Sequence, residues 1–394
     1  VRGQFDIGHH VDTDRQGKRQ MVTQGFTTEK FAGVREVLDA QLTSGADVGA
    51  SVCVHHRGEV VVDIWGGHTD TDRTTPWESD TITNVWSTTK TMTFLVALML
   101  ADRGELDFDA PVATYWPEFA ANGKAGIEVR HVMSHTAGLS GFGERIAPED
   151  LGDWEKCVGI LAAQEPWWEP GTMPGYHAIT QGYLIGEIVR RITGDTIGTF
   201  FRREIAEPLG ADFHIGLPES EEGRVSLVIP PPAADFGEID PTSLAFRTYA
   251  SSRIDARAPH NRWWRAAEIP AANGHGNARS VALVQSIIAN HGETGGQRFL
   301  SESAVERIFD SQINAFDPVL ARVSHMGMGY GLSNDSMPIG PRACYWGGYG
   351  GSVIIMDLEE QLAIAYMMNK MELGLSGDFR GANIAMAAAF AATN

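Results

Sequence analysis

Strand-like runs stand at both ends of this chain and helix-like runs fill its middle, an order that few folds accommodate. Residues 50–67 (ASVCVHHRGEVVVDIWGG) carry two β-rich runs broken at Arg57-Gly58-Glu59, the composition of a hairpin. Near the other end, residues 343–346, 352–357 and 361–368 predict three successive strands. Between them the pattern is helical. Apolar residues Phe31, Val34, Val37, Leu38 and Leu42 predict a helix over 27–44, and further helices are expected over 88–103, 183–192, 281–290 and 382–392. Hairpins rather than crossovers connect the strands, so their pairing should be antiparallel. The expected fold is α/β of the α+β type: one antiparallel sheet built from both termini and flanked by helices, with a mostly helical lobe inserted. The expected division is a polar arm over 1–20, an α/β lobe from 21–105 and 276–394, and the helical lobe over 106–275. Within the last, 228–234 (VIPPPAA) predicts a surface loop or a flexible edge of the site.

The chain has 394 residues and a formal net charge of −19, from 50 acidic and 31 basic side chains. Such a surface repels polyphosphate and anionic headgroups, which argues against nucleic-acid and membrane partners. No apolar run reaches the roughly 18–20 residues of a membrane span. Residues 1–20 lack the apolar centre of a secretory signal, and Met21 is a candidate natural start. Cys53, Cys157 and Cys344 are far apart and form no CxxC pair, so neither a zinc knuckle nor a disulfide framework is expected. A cytoplasmic setting is the expectation.

Chemistry concentrates at Ser87-Thr88-Thr89-Lys90, where a short β-rich stretch meets an apolar helix. Residues three apart share a helix face, so the hydroxyl and the amine can meet. The positive end of the helix dipole favours an alkoxide at Ser87, and burial would lower the Lys90 pKa until it accepts a proton. Ser87 as a plain N-cap is the competing reading.

The surroundings decide between them. The helix runs on to Gly104-Glu105-Leu106, and His131-Val132-Met133-Ser134-His135-Thr136-Ala137-Gly138-Leu139 follows. This order resembles the serine β-lactamase and penicillin-binding-protein superfamily, in its class C-like branch, from about residue 30 to the C-terminus. Within that branch the chain is most similar to the family VIII carboxylesterases. The resemblance implies that Tyr176, in Pro174-Gly175-Tyr176-His177-Ala178, is a proton shuttle beside Lys90, and a nearby ammonium would lower its pKa. Ala178 stands where lactamases carry an asparagine that contacts the drug's amide, which favours ester substrates. Trp346-Gly347-Gly348 stands where lactamases have Lys-Thr-Gly, so a cationic anchor is lost and anionic groups beside the scissile bond should suffer. By the same resemblance the N–H groups of Ser87 and Tyr349 form an oxyanion hole, and Trp346, Gly347, Gly348 and His177 contact substrate.

The implied activity is hydrolysis of small carboxylic esters, with short acyl groups, through an acyl-enzyme on Ser87. An amidase, peptidase, weak β-lactamase or acyltransferase on the same scaffold stays open, as does a non-catalytic binding descendant. No cofactor is expected. His131 and His135 have the i, i+4 spacing of zinc ligands, but no glutamate follows His131 and no metal is expected. Trp167-Trp168 and Trp263-Trp264 could line a pocket or pack the core. The Gly-x-Ser-x-Gly elbow of α/β-hydrolases is absent from the sequence.

Overall fold

The tight turn at residue 57 joins two neighbouring strands of the largest sheet. In the computed structural model, which describes residues 22–233, 240–335, 337–375 and 377–394, Arg57 (φ 53°) and Gly58 (φ 83°) are both left-handed. Two consecutive positive φ values suit the twist of a two-residue hairpin, and His56 pairs with Glu59 across it. The hairpin strands are Gly49–His56 and Glu59–Gly67.

The three expected C-terminal strands form as Ala343–Gly347, Val353–Asp357 and Leu362–Met368, each antiparallel to the next. The last pairs with Gly49–His56, so the two ends of the chain share one sheet. Its nine strands are ordered Thr23–Thr27, Glu59–Gly67, Gly49–His56, Leu362–Met368, Val353–Asp357, Ala343–Gly347, Gly331–Leu332, Arg322–Met326 and Ile313–Asp317. The sheet is antiparallel throughout and flanked by helices, the α/β architecture expected from the sequence. Thr23–Thr27 and the three strands between 313 and 332 were not expected. They are short, and the outer pairs lie towards the sheet edges, where a weak apolar alternation suffices.

Helices cover both faces. Ala278–Ala289 packs on the central strands, its first N–H held by Ser51 Oγ. Ala32–Ser44 and Phe379–Thr393 pack together on the other face. Gly49–His56 is therefore buried along its whole length. Lys90–Asp102 is buried from Lys90 to Leu100, which explains its near-continuous apolar sequence.

A second, four-stranded sheet joins Ile82–Asn84 to Val225–Ser226, His275–Gly276 and Phe213–His214, so part of 106–275 is strand rather than helix. It brings Asn84 beside His275 and fixes the segment that leads into Ser87. The expected surface loop over 228–234 lies within the described residues except for Ala234, and its start is no free loop. Val228 is buried, and Ile229 exchanges backbone hydrogen bonds with Asn369 and Met371 at 2.7 and 2.9 Å. The polar arm over 1–20 lies outside the described residues. Among the described residues no helix is long and apolar enough to cross a membrane.

Candidate active site

Trp86 occupies a left-handed conformation (φ 50°), uncommon for a bulky residue and held only where the surroundings enforce it. Its ring packs on Trp264 at 5.5 Å and on Tyr349 at 5.4 Å. Trp264 is itself anchored by its indole N–H to Asn84 Oδ1, at 2.9 Å. The bend presents Ser87 from a 3-10 turn, Trp86–Thr89, that runs straight into Lys90–Asp102. Ser87 keeps only a sliver of exposure, 8%.

Lys90 is wholly buried, and burial lowers its pKa well below that of a free lysine. No carboxylate pairs with it among the described residues. Its Nζ lies 2.7 Å from Ala178 O, 2.9 Å from Ala271 O and 3.2 Å from Ser87 Oγ. A neutral amine has two N–H bonds and one lone pair. The two carbonyls take both N–H bonds, which leaves the lone pair for the Ser87 hydroxyl. Ala178, lacking the lactamase asparagine, thus serves through its backbone.

Tyr176 donates its hydroxyl to Ser87 Oγ at 2.7 Å, and its ring lies under Lys90 Nζ at 4.9 Å. Here the sequence expectation is corrected. Burial dominates and pushes the phenol upward, while Lys90, itself driven towards neutrality, supplies no lowering charge. Tyr176 is therefore a protonated donor at rest. His135, at φ 61°, props it: the rings meet at 4.9 Å, and His135 O accepts the Gly175 N–H at 3.0 Å.

Opposite lies the turn after Ala343–Gly347. Gly348 comes so close to the Ser87 segment that a Cβ there would sit 2.4 Å from Val85 O and 2.3 Å from Ser352 Oγ. Ser352 Oγ also bonds Val85 O at 2.9 Å and Thr88 Oγ1 at 3.0 Å. The turn is thereby stapled beside the serine. The N–H groups of Ser87 and Tyr349 donate to no backbone acceptor among the described residues, so both stay available to a ligand oxygen.

Of the four residues expected to contact substrate, Trp346 and Gly347 line a pocket that borders Tyr176. The other two do not. His177 is fully buried, its Nε2 accepting from the Leu139 N–H at 3.0 Å and its Nδ1 bonded to Gly175 O at 2.6 Å, so both ring nitrogens are spent on backbone. Gly348 serves close packing, as its missing Cβ explains. Nor do His131 and His135 act as a pair. Nδ1 of the first accepts from the Glu128 N–H, and Nδ1 of the second from the His177 N–H. Trp168 packs edge-on against His177, Trp167 stacks under Arg247, and Trp263 meets Trp264.

Three residues near the site escaped the sequence reading. Asp317 and Arg322 reach the pocket from paired strands, and Tyr249 comes near them from the Leu244–Ala250 helix. An Asp317-Pro318 turn was the one local signal for that hairpin.

The sequence model of the beta-lactamase family matches residues 34–389. "Esterase/beta-lactamase LipL" of Mycobacterium tuberculosis is 35% identical over 367 residues, covering 88% of this chain and 83% of that protein. The crystal structure of a family VIII carboxylesterase superposes with a TM-score of 0.88 at 39% identity, covering 94% of this chain and 99% of the other. A penicillin-binding protein homologue from Caulobacter crescentus superposes with a TM-score of 0.87 at 36% identity, over 94% and 99% of the two chains. With its serine, lysine and tyrosine set as described and nearly its whole length matched, the chain belongs to the beta-lactamase family, on the side of its family VIII carboxylesterases.

Proposed function

We propose that this protein is a carboxylesterase that cleaves small esters through an acyl-enzyme on Ser87. The observation that carries the reading is Lys90, a buried, uncompensated amine whose only uncommitted direction faces Ser87 Oγ. Lys90 takes the Ser87 proton as Oγ attacks the ester carbonyl. The N–H groups of Ser87 and Tyr349 receive the oxyanion, and such donors contribute about 3–4 kcal/mol each to related transition states. As the C–O bond breaks, Tyr176 passes its proton to the leaving alcohol and regains one from Lys90. Water then attacks the acyl-enzyme and gives a proton to Lys90, which returns it to Ser87 Oγ as the acid leaves.

Short acyl chains fit the small exposure of Ser87. The site lies between the lobes we assign to 21–105 with 276–394 and to 106–275. The three cysteines are buried and unpaired, which suits a reducing compartment, and we place the protein in the cytoplasm. A slow β-lactamase side activity is the second reading, favoured by the double name of the mycobacterial relative. Ala178 and Trp346 weigh against it as a main activity.

Hydrolysis of p-nitrophenyl butyrate and of a chromogenic cephalosporin, by wild type and Ser87→Ala, tests the proposal. Fast ester turnover, slow cephalosporin turnover and a variant that does neither are the expected results. Ester activity surviving in Ser87→Ala would remove Ser87 from the mechanism.

A further inference from the structure

The pocket that borders Tyr176 holds a cation the proposed mechanism does not use. Arg322, in the strand Arg322–Met326, lines it together with Tyr176, Trp346 and Asp317. Unlike the arginines that pair with carboxylates elsewhere, the Arg322 side chain has neither a hydrogen bond nor an ion pair among the described residues. Asp317, its partner across the hairpin, brings an opposite charge to the same pocket. That carboxylate is occupied: Oδ1 accepts the N–H groups of Val319 and Leu320 at 2.8 and 3.1 Å, and the Tyr176 N–H also faces the carboxylate. Asp317 is 2% exposed, while Arg322 keeps part of its surface open. The Tyr249 phenol lies close enough to feel Tyr176, Asp317 and Arg322, and its hydroxyl has no hydrogen-bond partner among the described residues. Ser324 adds a hydroxyl to the wall.

We infer that this pocket is a subsite for a carboxylate carried on the alcohol part of the ester, with Arg322 as its anchor. A guanidinium presents five N–H donors in a planar fork that matches a carboxylate, and none of the five is committed here. Tyr176 fixes the side. Its hydroxyl holds Ser87 Oγ at 2.7 Å and, on the esterase reading that this inference rests on, protonates the departing alcohol. The alcohol part therefore lies against Tyr176, and a substituent on it extends towards Arg322. Trp346 stands where lactamases place a cation, and Arg322 supplies one two strands further out in the sheet.

The test compares 3-acetoxybenzoate, phenyl acetate and the cationic 3-acetoxyphenyl-trimethylammonium. In Arg322→Met the ratio of kcat/KM for 3-acetoxybenzoate over phenyl acetate should fall roughly tenfold or more, the effect of losing a charged hydrogen-bond partner. Arg322→Glu should move the preference to the cationic ester, a reversal that a merely structural role does not produce. Ratios that stay within about twofold of wild type in both variants overturn the subsite. If wild type leaves phenyl acetate intact, the esterase reading fails instead. Calorimetric binding of 3-hydroxybenzoate then tests the subsite separately: roughly tenfold weaker binding to Arg322→Met supports it, and equal binding overturns it.

Discussion

Two cations are fully buried on either side of the Ser87 turn, and they are kept in opposite ways. Lys90 has no carboxylate partner among the described residues and meets two carbonyls, a hydroxyl and the face of the Tyr176 ring, so no counter-charge opposes burial and its proton is weakly held. Arg380 is equally buried but sits between Asp47, at 2.9 Å, and Asp378, at 2.5 Å, which hold its charge firmly. Its other bonds include those to Lys370 O at 2.8 Å and Gly350 O at 2.7 Å. The second bond clamps the turn that carries the Tyr349 N–H. A buried cation given counter-charges is held charged as a strut, and one denied them is driven towards neutrality, the state that the proposed base requires. Even the strut is not fully compensated. Asp47 Oδ2 has no hydrogen-bond partner among the described residues, and burial raises that carboxylate to about 6 despite Arg380.

The largest break in this contrast is Lys90→Met. The fold should survive, since a linear apolar chain fills the same channel, while ester turnover falls on the order of 10⁴-fold, about 5 kcal/mol. Steady-state kinetics with circular dichroism separates the two effects. A variant that keeps a tenth of wild-type kcat would end the role of Lys90 as base.

Arg380→Met should do the reverse, costing stability first. It strands Asp47 and Asp378 without their cation, a loss of about 3–5 kcal/mol in urea unfolding. Activity in the folded fraction should fall too, because Gly350 O loses its donor. Full stability in this variant would make the strut ornamental.

That asymmetry also marks what the sequence could tell. Ser87, Lys90 and Tyr176 stand in local motifs of fixed spacing, and the 57–59 turn carries its own chemistry, so both were legible. Arg380 braces the site from a helix 290 residues beyond Lys90, at the head of an alanine-rich segment with no motif. Asp317, Arg322 and Tyr249 reach the pocket only because an unforeseen edge hairpin and a short helix pack against it. His177 misled for the opposite reason: it adjoins Tyr176 in sequence, yet its ring turns inward to Leu139 and Gly175. Contacts set by tertiary packing leave no local signature.

A smaller effect belongs to Tyr176→Phe. Removing a proton donor should lower kcat about 10²-fold for an alkyl ester, near 3 kcal/mol. A p-nitrophenyl ester, whose alcohol leaves without help, should lose less. Equal losses on both would place Tyr176 in positioning Ser87 rather than in proton delivery.

The smallest effect reads the Lys90 proton directly. Its folded pKa lies well below the unfolded value near 10.5, so between the two the unfolded chain binds one proton more than the folded chain. Stability from this group is present above the unfolded pKa and is lost as pH falls through the folded one. Wild type should therefore gain stability over Lys90→Met as pH rises from about 8.5 towards 9.5, by up to about 1.4 kcal/mol over that unit. The same deprotonation opens the acid limb of kcat/KM, which should rise with pH and then level. Parallel stability curves for the two proteins would mean that Lys90 keeps its charge when buried. The contrast with Arg380 would then collapse, and with it the reason for assigning Lys90 as the base.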